Sequence, residues 1–519
     1  MRRVLLLALF VLAQPLCATE WFISPSGSDR NSGRTPSQPL QTFSRAFSRM
    51  APGDTLILLD GLYTAQGTGL IVDGDARTQK SAAPPNGRDR SHMTRVRAQH
   101  PGGARLRAAG GPAIRLGTRE HKRRNIHIQG LRLEGDVLLY NTQRIHLSEL
   151  GIEGGLSIGT NDHYRGNDYN LIEDCWIHAR DRRLTAVNYR AHHNVWRRVV
   201  VGSDGCSVPG CNDNPGKADP SAGITIYDSH HVSLQNVIVV DRRLDRAIGY
   251  ADFSSAQHTD VDAGFLPAGV DGHDFLLSDN EWLGCISAFS EDQALVLEAD
   301  NVKPDSRIAT IRDFVALFPG GEGAVAIANR PYNFDGSSRY RVERVSIHRR
   351  NDSTQAGLYA SPELEQAVHI RSVLITGGKG VGIVAGGTVE SVRMVSQGKL
   401  LGKYTRCSRD CHHASRMPPW PLLPNDRPPQ GQAHQEDIPG ALIWWRVGRS
   451  GSFEDDPDSR RPSSQPLWPW PHEKRIRREF CAYATPRRGW CKSQKSLTAY
   501  LWSAFGNAPP AFPAARSSR

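Results

Sequence analysis

The sequence predicts an all-β protein, a right-handed parallel β-helix in which short strands stack coil upon coil. Three observations support this prediction. One apolar pattern recurs along the middle of the chain, a second strand follows most copies after a polar turn, and the 519 residues include 49 glycines and 33 prolines. So many turn residues suit β structure better than long helices. Strands this short bury their inner face only by stacking on neighbouring coils.

The first element is a predicted secretory signal peptide at residues 1–18, MRRVLLLALFVLAQPLCA. Arg2 and Arg3 precede an apolar run that ends at small residues, which is the usual order of such a signal. The run is too short to span a bilayer. Lipid attachment at Cys17 is disfavoured because Leu16 stands where a small residue is usual. We therefore expect a secreted or periplasmic protein without a transmembrane segment.

The second element is a predicted cap at the N-terminal end of the solenoid. Residues 42–50, TFSRAFSRM, carry apolar side chains at helical spacing and begin with Thr42, a favourable N-cap. Residues 52–64, PGDTLILLDGLYT, follow directly as turn, apolar run and turn. We expect this stretch to form the first rung, with the short helix covering the open end of its core.

The coils are predicted from the recurring pattern, in which two alternating apolar segments flank a polar residue. The copies are spaced about 20–40 residues apart, as in solenoid repeats. They lie at residues 125–133, 144–152, 169–177, 193–201, 231–239, 274–283, 307–317, 340–348, 367–375 and 388–396. The second strands lie at residues 184–189, 222–228, 246–252, 294–300, 324–330, 356–362 and 381–387.

Two other β architectures fit less well. A β-sandwich would use closely spaced hairpins with Asn-Gly or Asp-Gly turns, which are scarce here. A propeller would carry about four strands per blade and a blade signature. The pattern therefore favours the parallel β-helix.

The stretch from residue 21 to 64 resembles the start of secreted right-handed β-helix proteins of the pectate-lyase-like superfamily. The resembling segments are FISPSGSDRNSG, PLQTFSRAF and PGDTLILLDGLYT, and with the coils the resemblance covers residues 21–397. It implies the fold much more strongly than the activity, because lyases, hydrolases, epimerases and binding proteins share this fold. The motif set of polygalacturonase-like hydrolases is absent, which argues against that type of hydrolase.

The domain organisation predicted from these elements has three parts: signal peptide 1–18, β-helix 19–397, and linker with C-terminal extension 398–519. The extension begins Pro-rich at residues 416–432 and then becomes rich in tryptophan. We expect it to pack on the solenoid, because it carries too many large aromatics for a disordered tail. The alternative is a sugar-stacking surface formed by Trp444, Trp445, Trp468 and Trp470.

The nine cysteines fall into three groups. Cys17 lies in the signal, and Cys175 and Cys285 lie in apolar strands, where we expect buried thiols. The remaining six form three close pairs that we interpret as loop-pinning disulfides in an oxidising compartment. A zinc site in CSRDCHH, residues 407–413, is the less favoured interpretation. The three pairs are Cys206 with Cys211, Cys407 with Cys411, and Cys481 with Cys491.

A candidate metal site follows from aligning the second strands. The alignment brings four carboxylates onto neighbouring rungs, about 4.8 Å apart, where they repel one another unless compensated. Ca²⁺ would compensate them, or one carboxylate would keep a proton and act as a general acid. In a third interpretation they are solvated turn residues at the strand ends, or they pair with Arg190, Arg243 and Arg330. The four carboxylates are Asp228, Asp252, Glu298 and Asp300, with Ca²⁺ as the expected cofactor.

Basic residues crowd the same side, and this suggests a reaction. A lyase acting on a uronic acid must neutralise the carboxylate and supply a base for the neighbouring proton. The resemblance implies Ca²⁺ or arginine for the first task and lysine or arginine for the second. We assign Lys303 as base and Arg330 as carboxylate clamp. The expected substrate-binding residues are Arg190, Arg243, Tyr227 and Tyr250.

The predicted function is therefore a secreted carbohydrate-active protein, and we favour an enzyme, a polysaccharide lyase for an acidic glycan. A net charge of +11 suits an anionic polymer. Nucleic acid is not expected as a partner of an exported chain. Two alternatives remain open: a non-catalytic β-helix that binds polysaccharide or surface partners, and a β-helix glycoside hydrolase that uses two of the carboxylates.

Overall fold

The computed structural model describes most of the chain between residues 18 and 404. The signal peptide, the three cysteine pairs and the tryptophan-rich extension lie outside the described residues and stay predictions. The described residues are 18–74, 79–159, 167–179, 184–203, 222–227, 229–241, 253–256, 279–288, 294–297, 307–319, 325–327, 339–350, 353, 356–360, 367–379, 382–385, 388–396 and 399–404.

The described residues form one short helix and 32 strands of a single hydrogen-bonded sheet. The helix, α1, is Phe43–Arg49. The strands are β1 Glu20–Ile23, β2 Thr55–Leu58, β3 Gly61–Thr64, β4 Ile71–Val72, β5 Thr94–Ala98, β6 Ala104–Leu116, β7 Arg123–Gln129, β8 Arg132–Leu139, β9 Thr142–Ser148, β10 Gly151–Glu153, β11 Leu156–Ile158, β12 Leu171–Glu173, β13 Trp176–Ala179, β14 Leu184–Tyr189, β15 Val195–Arg197, β16 Val200–Ser203, β17 Ala222–Tyr227, β18 Ser233–Gln235, β19 Ile238–Asp241, β20 Phe253–Ala256, β21 Asn280–Leu283, β22 Ile286–Ala288, β23 Leu295–Leu297, β24 Arg307–Arg312, β25 Val315–Leu317, β26 Val325–Ile327, β27 Arg339–His348, β28 Leu358–Ala360, β29 Val368–Thr376, β30 Ile383–Val384, β31 Thr388–Ser396 and β32 Lys399–Tyr404.

Successive coils pair in parallel along three faces, which confirms the predicted right-handed parallel β-helix. The first face runs β1-β2-β5-β7-β9-β12-β15-β18-β21-β24-β27-β29-β31. The second runs β3-β6-β8-β10-β13-β16-β19-β22-β25 and continues through the later halves of β27, β29 and β31. The third runs β4-β6-β8-β11-β14-β17-β20-β23-β26-β28-β30. β32 pairs antiparallel with β31 at the far end of the described strands.

The predicted cap is confirmed. Thr42 is the N-cap of α1, and its hydroxyl accepts the backbone N–H of Arg45 at 3.2 Å. Phe43 is fully buried, with its ring 5.7 Å from that of Tyr63 in β3. The helix thus places its apolar face on the open end of the core. With seven residues it is too short to cross a membrane, and no other helix occurs among the described residues.

One detail of the opening differs from the prediction. β2 was expected to be the first rung, but β1 pairs with it in parallel and precedes it. The carboxylate of Asp54 holds this earlier strand, because it accepts the backbone N–H of Thr19 and the indole N–H of Trp21, each at 2.9 Å. Asp54 therefore anchors β1, although the turn that contains it was predicted only to lead into β2.

A buried core runs the length of the coils, and the two predicted core thiols belong to it. Cys175 and Cys285 are buried and unbridged. Burial raises the pKa of each thiol to about 12, so both stay protonated at physiological pH. The prediction of buried thiols is confirmed.

Where the chain turns onto the first face, successive coils place a residue in the left-handed backbone region. Five of these residues form what we name the corner row, with φ between 52° and 60°: Arg144, Tyr169, His193, His231 and Asp279. Backbone hydrogen bonds join neighbouring coils here, from Tyr169 N–H to the carbonyl of His192 and from His193 N–H to that of His230, each 3.2 Å long. The corner row therefore follows the solenoid axis.

Candidate functional site at a histidine-lined corner

The third face carries the first of the predicted site residues. β14 and β17 pair in the predicted register, so Tyr189 and Tyr227 lie on adjacent rungs. Arg190 follows β14, is only 8% exposed, and places its guanidinium carbon 5.1 Å from the centre of the Tyr189 ring. This sheltered cation over an aromatic face fixes the end of the strand.

The next rung corrects the predicted alignment. The residue paired with Tyr227 is Ala256, in β20, and not a residue of the segment 246–252. The alignment that made Tyr250 equivalent to Tyr227 and Asp252 equivalent to Asp228 is therefore wrong. The sequence pattern was matched to residues 246–252, whereas the strand that pairs with β17 is Phe253–Ala256.

Most of the other predicted site residues lie outside the described residues; their roles stay predictions, although the corrected pairing removes the alignment that suggested Tyr250 and Asp252. Tyr227 is described by its backbone alone. The residues outside are Asp228, Arg243, Tyr250, Asp252, Glu298, Asp300, Lys303 and Arg330.

The chain leaves both third-face strands through a pair of histidines. His192 and His193 follow Arg190, and His230 and His231 occupy the equivalent position one coil later. The rings of His192 and His230 stack face to face, 3.8 Å apart. His193 and His231 approach at 4.6 Å between ring centres. Two coils therefore contribute four imidazoles to one corner.

Further side chains extend this cluster in both directions along the axis. The ring of Tyr169 stacks on His193 with centres 4.8 Å apart and planes 7° from parallel. Arg144 places its guanidinium carbon 5.9 Å from the centre of the Tyr169 ring. At the other end, the Nε2 atom of His231 is 3.7 Å from a carboxylate oxygen of Asp279. The order along the corner row is thus cation, phenol, two imidazoles and carboxylate.

The electrostatics of the corner favour neutral imidazole at His193. Burial lowers the pKa of His193, the nearby ring of His231 lowers it further, and Asp168 opposes them. The ring is therefore neutral at physiological pH and has a lone pair that can accept a proton or bind a metal ion. Tyr169 is 52% exposed, so the aromatic end of the corner row is open to a ligand.

A second histidine pair, on the first face, is built differently. The rings of His127 and His146 stack at 4.0 Å. The Nε2 atom of His127 lies 2.8 Å from the hydroxyl of Ser148, and that of His146 lies 2.8 Å from a carboxylate oxygen of Glu173. Glu173 also accepts N–H groups of Arg197 at 2.5 and 3.0 Å.

Glu173 is consequently held as a carboxylate. Burial raises its pKa, but the hydrogen bonds from Arg197 and His146 outweigh burial, and the net shift is downward. We interpret this group as a closed ion network that joins coils, because its charges are already matched by partners within the sheet.

The histidine corner was not among the predicted site residues. The detectable signal was the repeated His-His dipeptide, at 192–193 and 230–231, immediately before equivalent strands. His193 and His231 begin two copies of the recurring apolar pattern, but neither was given a functional role.

Comparison with known proteins gives matches to solved structures alone: no family model matches and no curated protein matches. The complex of XylC with xylose is similar at a TM-score of 0.42 and 8% identity, covering 70% of this chain and 84% of that one. Pectate lyase Pel9A gives 0.35 and 11%, covering 73% and 80%. The A-module of the Azotobacter vinelandii mannuronan C-5 epimerase AlgE6 gives 0.35 and 11%, covering 66% and 91%. These similarities concern the fold.

Proposed function

We propose that this protein is a carbohydrate-active β-helix enzyme that binds an acidic polysaccharide along the corner row and cleaves it by β-elimination. The observation that supports the proposal most strongly is the stack of Arg144, Tyr169 and His193 along the solenoid axis. It combines a half-exposed aromatic side chain with a cation in one continuous line.

The geometry suits a linear polymer. Neighbouring coils are about 4.8 Å apart, close to the length of one sugar unit in an extended chain. Successive sugar units can therefore contact equivalent residues on successive coils. A pyranose ring can pack its C–H bonds against the exposed part of the Tyr169 side chain, and a uronate carboxylate offers a partner for the guanidinium of Arg144.

For the elimination itself we retain the base and the carboxylate clamp that were assigned from the sequence. Lys303 removes the proton from the carbon next to the carboxylate, and Arg330 neutralises that carboxylate. A C=C bond forms as the bond to the glycosidic oxygen breaks, and the leaving oxygen takes a proton from water. Ca²⁺ bound by Asp228, Glu298 and Asp300 is the proposed alternative for neutralisation. Asp252 is no longer included, because its strand equivalence is wrong.

We also propose that the protein is exported from the cytoplasm. Residues 1–18 have the order of a secretory signal, and a polysaccharide substrate is met outside the cytoplasm. We therefore propose a secreted or periplasmic enzyme. Its partner is an anionic glycan.

The test is a screen of uronate polymers with the full chain. Pectate, alginate and chondroitin sulfate are incubated with and without chelator, and the absorbance of the unsaturated product is followed. We expect product on at least one polymer, at least about 100-fold less with Lys303→Ala, and unchanged product with Trp176→Ala, an exposed aromatic of the second face. Reducing ends without unsaturation would indicate a hydrolase, and binding without either product would indicate a non-catalytic protein.

A further inference from the structure

We propose that His193, His230 and His231 form a binding site for a divalent transition-metal ion, with Zn²⁺ as the expected occupant. One ring nitrogen from each histidine lies within 4.8 Å of the others. The site differs in ligand type from the oxygen site predicted for Ca²⁺. It depends on contacts within the described coils and not on whether the protein cleaves a glycan.

The fold brings the three rings together through the register of two coils. Val195 pairs with Ser233, so His193 and His231 occupy equivalent positions two residues earlier. The backbone N–H of His193 donates to the carbonyl of His230 at 3.2 Å. Ligands separated by nearly forty positions in the sequence are therefore fixed by the same hydrogen bonds that build the solenoid.

The separations suit one ion. Zn²⁺ binds imidazole nitrogen at about 2.0–2.1 Å, so two nitrogens on one ion lie at most about 4.2 Å apart. The Nδ1 atoms of His230 and His231 are 2.9 Å apart, already inside this limit. No two of the three ligand nitrogens are more than 4.8 Å apart, so small rotations of the rings bring all three within reach of one ion. Three histidines leave one coordination position for water or an anionic oxygen.

Neighbouring groups hold the ligands in the required orientation. His231 directs Nδ1 toward His230, while its Nε2 lies 3.7 Å from the carboxylate of Asp279. A carboxylate behind the second ring nitrogen commonly orients a metal-bound histidine. The ring of His230 stacks on His192, and that of His193 stacks on Tyr169. Each ligand therefore has a packing or charge partner outside the metal position.

The chemistry of the ligands selects the class of metal. Neutral imidazole suits Zn²⁺, Cu²⁺ and Ni²⁺, whereas Ca²⁺ and Mg²⁺ require oxygen ligands.

The experiment measures metal binding by the full chain after chelator treatment. Zn²⁺ is titrated by calorimetry, and Co²⁺ is followed by its visible absorption, which reports nitrogen coordination. His193→Asn and His231→Asn are the test variants, because asparagine also adopts the left-handed conformation, as Asn236 does here. His92→Asn is the matched control, since His92 is an exposed histidine beside a carboxylate, Asp89.

We expect both test variants to bind Zn²⁺ more than about 100-fold more weakly and Asp279→Asn to bind about 10-fold more weakly. His92→Asn should bind as the native chain does. The double variant Cys407→Ser/Cys411→Ser removes any contribution from residues 407–413 and should keep corner binding intact. Equal affinity in all histidine variants, or binding lost only in the cysteine variant, would overturn the proposal. Circular dichroism without metal checks that each variant folds, and His230→Gln is a second route if one does not.

Discussion

The inner and outer sides of one corner of the solenoid carry different kinds of side chain and are subject to different constraints. On the inner side, the Oδ1 atoms of Asn170 and Asn194 accept backbone N–H groups from the preceding coil at 2.9 and 2.8 Å, and both residues are fully buried. On the outer side, the residues immediately before them, Tyr169 and His193, stack ring on ring in contact with solvent.

Of two consecutive residues, the inner one stabilises the fold and the outer one is available for function. The inner position must be a short side chain that reaches a backbone donor, so asparagine recurs there, as Asn280 also shows by accepting the N–H of Val232. The outer position must only tolerate the left-handed backbone region. Its side chain is therefore available for ligand binding, and its identity changes from coil to coil.

The largest effect on the free energy of unfolding is expected for a substitution on the inner side of the corner. Asn194→Ala removes the acceptor for Asn170 N–H and the donor to the carbonyl of Asn167, leaving buried groups without partners. We expect the free energy of unfolding to fall by about 2–4 kcal/mol. His193→Asn, one residue earlier, should change it by less than about 1 kcal/mol. Urea unfolding of both variants measures the difference, and equal losses would remove the distinction between the two sides.

The next effect concerns the histidine pair on the first face. Burial, with His146 and Arg95, lowers the pKa of His127 to about 4 from an ordinary value of 6.5. The unfolded chain therefore binds the proton more readily, and stability present above pH 6.5 is lost as the pH falls toward 4. Allowing for partial solvation, the loss is about 2 kcal/mol.

His127→Gln should flatten the stability profile between pH 6.5 and 4. Unfolding free energies of the native chain and the variant at several pH values in this window provide the measurement. If the stability of His127→Gln fell as steeply over this pH range as that of the native chain, His127 would not titrate in this way.

The smallest effect is expected for the core thiols. Cys175 and Cys285 are buried, with pKa values raised to about 12, so a thiol reagent should modify neither in the native state at neutral pH. Both should react after unfolding. Mass spectrometry of peptides after labelling with iodoacetamide distinguishes the two states, and rapid native labelling at either position would contradict the buried placement.

Local pattern was sufficient to predict much of the fold. The cap at residues 43–49 and strands such as β14 were predicted closely, because helical spacing and alternation are properties of neighbouring residues. Register across a long insertion is not local, and the equivalence of Asp252 with Asp228 failed for that reason. β1 was missed because its anchor, Asp54, is distant in sequence.

The candidate site was harder to predict than the fold. The histidine corner arises when His193 and His231 come into register, and their contact depends on how many residues separate two coils. The sequence pattern placed both histidines at the start of a coil but gave them no functional role. A search for identical dipeptides at equivalent coil positions would have identified them.

The central claim is that the outer side of the corner binds an acidic polysaccharide. Affinity for polygalacturonate and alginate, compared between the native chain, Tyr169→Ala and Trp176→Ala, tests it most directly. Both aromatics are exposed, 52% and 44%, but Trp176 lies on the second face. We predict about 10-fold weaker binding for Tyr169→Ala, the loss of one stacking contact of roughly 1.4 kcal/mol, and native affinity for Trp176→Ala. Native affinity for Tyr169→Ala, or weaker binding only for Trp176→Ala, would contradict the account.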